Sequence, residues 1–297
     1  MDFKLPEFVD LIIKKFEVAG FEIYIVGGAV RDLLMGREVK DWDFTTNATP
    51  EEILKIFPDG FYDNQFGTVG VVDEEKNVYE ITTFRKEIGY SDKRHPDKVE
   101  WGKTLEEDLS RRDFTINAIS LKIPLPTSHF PLPTFIDPFS GQKDLKAKII
   151  RAVGNPNERF SEDALRMIRA IRIATEIGFS IELATFEAIK KNAALIDNIA
   201  RERIKEELFR ILKSDSPADG FTLLLESGLL EKIIPELIKG YGLSQARHHI
   251  YDVWTHSLLS LKFTPSYNPV VRFATLLHDV GKPIVVKGEG EKRTFYN

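Results

Sequence analysis

The stretch IVGGAVRDLLMGREVKDWDFTT, residues 25–46, decides how this 297-residue chain folds. It opens on the end of an alternating β-rich run, Phe21-Glu-Ile-Tyr-Ile-Val26, and turns at Gly27-Gly28. It then continues as a helical pattern over residues 29–35 that Gly36 stops, and returns as a second extended run, Asp41-Trp-Asp-Phe-Thr-Thr46. Strand, glycine corner, helix and strand begin an α/β unit. Residues i and i+2 of a strand face the same side roughly 6.6 Å apart, so Asp41 and Asp43 present carboxylates to one site while Trp42 faces away. Carboxylates so placed suit Mg²⁺, which takes oxygen ligands and is usually held by one or two protein carboxylates plus substrate phosphates. Gly27 and Gly28 lack a Cβ, so a phosphate can approach their backbone N–H groups at a helix N-terminus, with Arg31 about one turn further along the same rim. A glycine pair after a strand is commonly only a turn, and Asp-x-Asp commonly only a solvated strand edge. Their combination within about twenty residues points to a metal-nucleotide site.

Working outward, residues 6–19 have helical periodicity, with Pro6 at the start and Gly20 at the stop. Thr49-Pro-Glu-Glu52 starts a capped helix, and residues 69–72 and 78–84 form a hairpin. The polar stretch 85–103 is either a mobile loop or a strand with a long approach, and the proline-rich segment 124–138 is a surface excursion. A helix from Thr104 leads into Arg111-Arg112-Asp113. From Ser161 a long helix runs through residue 177, followed by helical patterns near 183–196, 201–213, 217–227, 230–239, 251–263 and 270–279, with no internal repeat. The expected architecture is α+β: a small mixed-sheet head over residues 1–142, a helical neck over 143–215 and a helical body over 216–297.

Composition narrows the chemistry. At 42% hydrophobic and 29% charged, the chain buries a core and is neither collagenous nor disordered. The absence of cysteine excludes disulfides, thiolate nucleophiles and Cys-type zinc sites, and makes a reducing compartment the default. No apolar run reaches the ~18 residues of a membrane span and the start is acidic and amphipathic, so the expected location is cytoplasmic, without a membrane partner. The net charge of −5 does not advertise a polyanion partner, but residues 143–172 carry eight basic against four acidic side chains.

The string GGAVRDLLMG with KDWDFTT resembles the signature of the class II tRNA nucleotidyltransferase and bacterial poly(A) polymerase family, within the polymerase-β-like nucleotidyltransferases. Three further motifs follow in that family's order: Arg111-Arg-Asp-Phe-Thr-Ile-Asn-Ala118, Asp137-Pro-Phe-Ser-Gly141, and Glu162-Asp-Ala-Leu-Arg166 continued by Arg169 and Arg172. The resemblance covers about residues 20–215 and implies a template-independent enzyme that adds C, A or both to the 3′ end of tRNA from CTP and ATP. It implies that Asp41 and Asp43 bind the catalytic Mg²⁺ ions, that Gly27, Gly28, Arg31 and Arg112 serve the triphosphate, and that Asp113 accepts a hydrogen bond from the ribose 2′-OH. Asn117 is expected as a nearby polar support, and the helix over 201–213 as a buttress with Ile204, Leu208 and Ile211 buried.

On one helix, Asp163 and Arg166 are i and i+3 neighbours, offering an acceptor and a forked donor side by side. Such a pair can imitate a base edge, and the resemblance implies that it selects C or A without a template, with Arg169 and Arg172 continuing the stripe towards phosphate or base. The tRNA acceptor stem is the expected macromolecular partner, and the oligomeric state is open. Near the end, Asp252-Val-Trp-Thr-His256 and Leu276-Leu-His-Asp-Val-Gly-Lys-Pro283, preceded by His248-His249, resemble the HD phosphohydrolase signature, implying His256, His278 and Asp279 as metal ligands. No obvious further Asp follows before Asn297, so this is a fragment of such a module or a structural remnant of it. Poly(A) addition to other RNAs, HD-type phosphohydrolysis and catalytically silent RNA binding are the alternatives. The segment 85–98, with Tyr90, Asp92, Arg94 and His95, is the expected switch between incoming nucleotides.

Overall fold

The computed structural model describes residues 5–64, 67–88, 98–102, 104–124, 132–245, 250–288 and 293–295. They divide into two compact units, the first running to Asn155 and the second starting at Pro156. The first unit opens with α1 (Glu7–Val18), which begins after Pro6, carries Glu7 and Asp10 in its first turn and buries Val9, Ile12, Ile13 and Phe16. There follow β1 (Ile23–Val26), α2 (Gly28–Leu34), β2 (Asp43–Thr46), α3 (Pro50–Ile56), β3 (Phe61–Asn64), β4 (Thr68–Val72) and β5 (Val78–Thr83). Next come the hairpin strands β6 (Arg85–Ile88) and β7 (Lys98–Trp101), then α4 (Leu105–Ser110), β8 (Ser120–Lys122), β9 (Thr134–Ile136) and α5 (Gly141–Ala147).

Among the described residues the main sheet has the order β3-β4-β5-β2-β1-β8-β9. It is mixed: β2 runs parallel to β5 and antiparallel to β1. The apolar sides of these strands, with Ile23, Ile25, Trp42, Phe44, Val69, Val71, Tyr79, Ile81 and Leu121, pack on α1 and on Ala29 and Val30 of α2. The start of α3 is fixed by a reciprocal capping box, Thr49 Oγ1 accepting from the Glu52 N–H and Glu52 Oε2 from the Thr49 N–H.

Two features of the head differ from the sequence expectation. The strand after the glycine corner starts at Asp43, leaving Asp41 exposed in the preceding bend. The proline-rich excursion contributes β9, an edge strand paired with β8. The polar stretch 85–103 carries the antiparallel pair β6–β7 at its two ends, in line with the strand alternative, whereas Tyr90, Asp92, Arg94 and His95 lie outside the described residues, as do His248 and His249.

The second unit is built from α6 (Pro156–Glu162), α7 (Leu165–Ile177), α8 (Leu183–Asn192), α9 (Arg201–Lys213), α10 (Pro217–Glu226), α11 (Leu229–Ile233), α12 (Pro235–Ile238), α13 (Val253–Lys262), α14 (Pro269–Leu277) and α15 (Lys282–Val285), with a two-residue strand at Ser180–Ile181. α7 is its central helix, burying Met167, Ile168, Ala170, Ile171 and Ile173. On α9 the expected stripe of Ile204, Leu208 and Ile211 is buried. The single long helix expected from Ser161 is two helices, and Asp163 makes the break. Its Oδ1 accepts from the Leu165 N–H, 3.0 Å away, so the side chain competes with the helical ladder and starts α7 afresh.

Candidate active site

Gly27 is the corner on which the candidate site of the head turns. Its φ of 71° and ψ of −141° lie where a side chain is strained, and a Cβ there would stand 3.2 Å from Asp43 Oδ2 and 3.3 Å from Arg112 Nη1. One bare α-carbon therefore lets a strand carboxylate and a guanidinium from a distant segment share a small volume. Across the antiparallel ladder Asp43 pairs with Val26, the last residue before this corner. Trp42 and Phe44 on either side of Asp43 are in the core, so the carboxylate faces away from it, as alternation requires. Gly28 plays a related part: a Cβ on it would lie 3.4 Å from Arg31 Nη2.

Arg31 is held in a plane. Its Nε and Nη2 donate to the two carboxylate oxygens of Asp32 at 2.9 and 3.0 Å, and Nη1 donates to Asn117 Oδ1 at 3.1 Å. Asn117 in turn donates from Nδ2 to Asp113 Oδ1, which also accepts from the Phe114 N–H. The expected polar support is thus a bridge between Arg31 of the first motif and Asp113 of the second. The third motif acts on the same segment from behind. Asp137 accepts from the N–H groups of Gly141 and Gln142, starting α5, and a Cβ on Gly141 would collide with the Thr115 carbonyl. Thr115 Oγ1 and Arg151 Nε both donate to Asp144 Oδ2, which fastens α5 to the second motif.

The sequence reading missed two acids. Glu80 is the Cα partner of Asp43 on the parallel neighbour β5 and is exposed between buried Tyr79 and Ile81, so it lies on the same sheet face as Asp43. Alternation in residues 78–83 shows that Glu80 points outward, but nothing local reveals its register with Asp43. Asp108 on α4 is fully buried, with Arg111 donating to Oδ1 from Nε at 3.0 Å and Nη2 at 2.7 Å, and Arg112 Nη2 donating to Oδ2 at 3.1 Å. Burial works to raise its pKa, yet the two guanidinium charges and their hydrogen bonds hold the carboxyl below its ordinary value. The i+3 and i+4 spacing to two arginines was the visible signal.

The recognition residues expected on α7 belong to the second unit, where ion pairs set their positions. Arg166 is 9% exposed and donates from Nη1 to Glu162 Oε2 at 2.6 Å, which orients its fork. Asp163 Oδ2 lies 3.5 Å from Arg203 Nη2 of α9. The arginine stripe is uneven. Arg169 is half-buried, whereas Arg172 is 7% exposed and its Nε meets Glu207 Oε2 of α9 at 2.7 Å while Nη1 reaches Glu176 at 3.1 Å. Arg172 thereby ties α7 to α9. Its partner Glu207 and Arg203 are the other residues missed, because an inter-helix contact leaves no mark at helical spacing.

Further along the second unit, His256, His278 and Asp279 present ligand atoms within 4.8 Å of one another. His278 Nδ1 donates to the Thr275 carbonyl, which only accepts, at 2.7 Å, and its Nε2 lies 3.2 Å from both His256 Nε2 and Asp279 Oδ2. Lys282 Nζ donates to Asp279 Oδ2 at 2.7 Å and also to Gln245. Among the described residues no helix is long and apolar enough to cross a membrane.

Known proteins resemble this chain in sequence and in fold. Residues 23–151 match the poly A polymerase head domain, and residues 178–240 match a probable RNA and SrmB-binding site of polymerase A. The CCA-adding enzyme of Ligilactobacillus salivarius is 49% identical over 219 residues, spanning 73% of this chain and 52% of that protein. That of Pediococcus pentosaceus is 42% identical over 264 residues, 86% of this chain and 64% of that protein. The chain thus spans about half the length of the first relative. Among solved structures, the Bacillus stearothermophilus CCA-adding enzyme in complex with CTP superposes with a TM-score of 0.67 at 41% identity, over 76% of this chain and 53% of that one. A tRNA nucleotidyltransferase complexed with a primer tRNA and an incoming ATP analogue gives a TM-score of 0.67 at 27% identity, over 90% of this chain and 75% of that one.

Proposed function

The chain belongs to the tRNA nucleotidyltransferase and poly(A) polymerase family, and on that premise we propose that it adds nucleotides to the 3′ end of tRNA, taking CMP and AMP units from CTP and ATP. The observation that carries the reading is the convergence of Asp43 and Arg112 on the bare α-carbon of Gly27, which sets an anionic metal ligand beside a cationic phosphate ligand. In the reaction the tRNA 3′ oxygen bonds the α-phosphorus, the α–β bridging P–O bond breaks and pyrophosphate departs.

Asp41 and Asp43 are the carboxylates assigned to Mg²⁺, which takes oxygen ligands, and Glu80 is the register neighbour of Asp43 on β5. Magnesium bound there would neutralise the triphosphate and lower the pKa of the attacking hydroxyl. The chain's own residues supply the positioning. Gly27 and Gly28 admit the phosphates to the start of α2, and Arg112 and Arg31 lie at its rim with orientations already fixed, so little reorganisation is needed when substrate arrives. Asp113 serves the ribose. Asp163 and Arg166 read the base edge, oriented by Arg203 and Glu162, with Arg169 beside them and Arg172 as the support beneath. The acceptor stem is the RNA partner, and the cytoplasm, where CTP, ATP and tRNA meet, is the place.

The deciding assay incubates the protein with Mg²⁺, a tRNA lacking its terminal nucleotides and each labelled NTP in turn. Addition limited to C and A at the tRNA end is expected. Long A tails on unrelated RNA would favour poly(A) polymerase, and no incorporation would overturn the reading. A second reading, a metal-bound phosphohydrolase centre, draws on the His256, His278 and Asp279 cluster alone. Titration of Mn²⁺ into the wild type and His278→Ala tests it, and equal binding by both removes it.

A further inference from the structure

We propose that Asp108 is a positioning residue for the triphosphate, acting through Arg112, which it holds in the orientation needed at the glycine corner. The inference rests on the nucleotidyltransferase reading above and concerns a residue outside the first, third and fourth motifs and ahead of the Arg111–Ala118 segment.

The three nitrogens of the Arg112 guanidinium have distinct surroundings. Nη2 is taken by Asp108 Oδ2. Nη1 stands beside Gly27, on the side that Asp43 Oδ2 also faces. Nε is buried and has no hydrogen-bond partner among the described residues. Nη1 is therefore the donor that a phosphate oxygen arriving at the corner would meet. An arginine side chain free to rotate would not keep its donors in that arrangement, since it loses considerable rotamer entropy when fixed. The fully buried carboxylate at i−4 fixes it beforehand.

The use made of Asp108 also separates this role from a general packing role. A buried carboxylate is costly and is tolerated only when its oxygens are fully used. Arg111 occupies Oδ1 with two donors and would by itself neutralise the charge. The second oxygen is spent on Arg112, the residue that reaches the site. Thr104 caps α4 by accepting from the Glu107 N–H, so the helix holding Asp108 has its own N-terminal anchor.

The test compares affinities for ATP and AMP in the wild type, Asp108→Asn, Arg112→Ala and the double variant, by calorimetric titration in Mg²⁺ buffer. Preferential binding of ATP over AMP by the wild type is the reading's own requirement, and its absence would remove that reading before any variant is considered. Given that preference, Asp108→Asn should weaken ATP about tenfold and leave AMP within about twofold, because a charge-assisted bond to the phosphate-facing arginine is lost. Arg112→Ala should do at least as much, and adding Asp108→Asn to it should cost nothing further. A parallel loss of ATP and AMP, an additive double variant, or unchanged ATP affinity would each overturn the inference while leaving the nucleotidyltransferase reading intact. If Asp108→Asn does not fold, Asp108→Ser, which leaves room for water, is read by the same ratio.

Discussion

The head and the helical unit hold their candidate site residues by different means. In the head, backbone decides: Asp43 is placed by strand register against Val26 and Glu80, and Gly27 by a torsion pair that a side chain would strain. In the helical unit, side chains decide: Asp163, Arg166 and Arg172 take their orientations from Arg203, Glu162 and Glu207. A sheet is stiff because each strand is fixed by its neighbours on both sides, which suits groups that must hold reacting phosphates to within fractions of an ångström. The partly solvated pair of Asp163 with Arg203 rearranges at smaller cost than a strand does, while the buried pair of Arg172 with Glu207 holds α7 to α9.

That contrast can be broken or sharpened by substitution. The largest effect is expected from Asp43→Asn, which keeps shape and removes charge. Nucleotide addition should fall by about a thousandfold or more with the melting temperature nearly unchanged, because the proposed function places at this carboxylate the metal ion that stabilises transition-state charge. Retention of a tenth of the activity in labelled-nucleotide assays would contradict the division of labour. Next in size is Gly27→Ala. Its Cβ would press on Asp43 Oδ2 and Arg112 Nη1 in a strained torsion region, so a loss of about a hundredfold is expected, with C and A affected alike. A change in base preference there would show that the head also takes part in recognition.

A smaller and different effect is expected from Arg166→Met. Total addition should fall by about tenfold or less, while misincorporation of UTP and GTP rises, since one bidentate contact discriminates by about 1–3 kcal/mol. Unchanged selectivity measured with all four NTPs would place base choice elsewhere. The smallest effect concerns acid. The pKa of Asp108 is lowered in the folded protein, so its stabilisation is complete above the unfolded value of about 3.9 and is lost as pH falls through the lower folded value. The stability gap between wild type and Asp108→Asn in urea titrations should therefore be constant above about pH 5 and shrink below about pH 4. A gap that widens in acid would mean that the arginines do not govern this carboxyl.

How legible the molecule was from its residues follows from the range of the interactions involved. The glycine corner, the outward-facing Asp43, the Thr49 cap and the buried stripe of Ile204, Leu208 and Ile211 all follow from contacts within about four residues. Two errors were local but depended on a competition. The helix expected to run unbroken from Ser161 breaks because the Asp163 side chain offers the Leu165 N–H a nearer acceptor, and the strand expected from Asp41 begins two residues later. Periodicity reports apolar faces, and it is silent on which of two hydrogen bonds a backbone N–H will choose.

By itself the sequence determined the α+β layout, the four ordered motifs and the carboxylates and arginines that carry the proposed chemistry, since side-chain alternation and helix signals depend only on near neighbours. Only the tertiary structure decided that Glu80 stands beside Asp43, that Asp108 divides its oxygens between Arg111 and Arg112, and that Arg172 is locked to Glu207. The first and last of these pairings join residues 37 and 35 positions apart, and they arise from strand register and helix packing, which are set by the whole buried core.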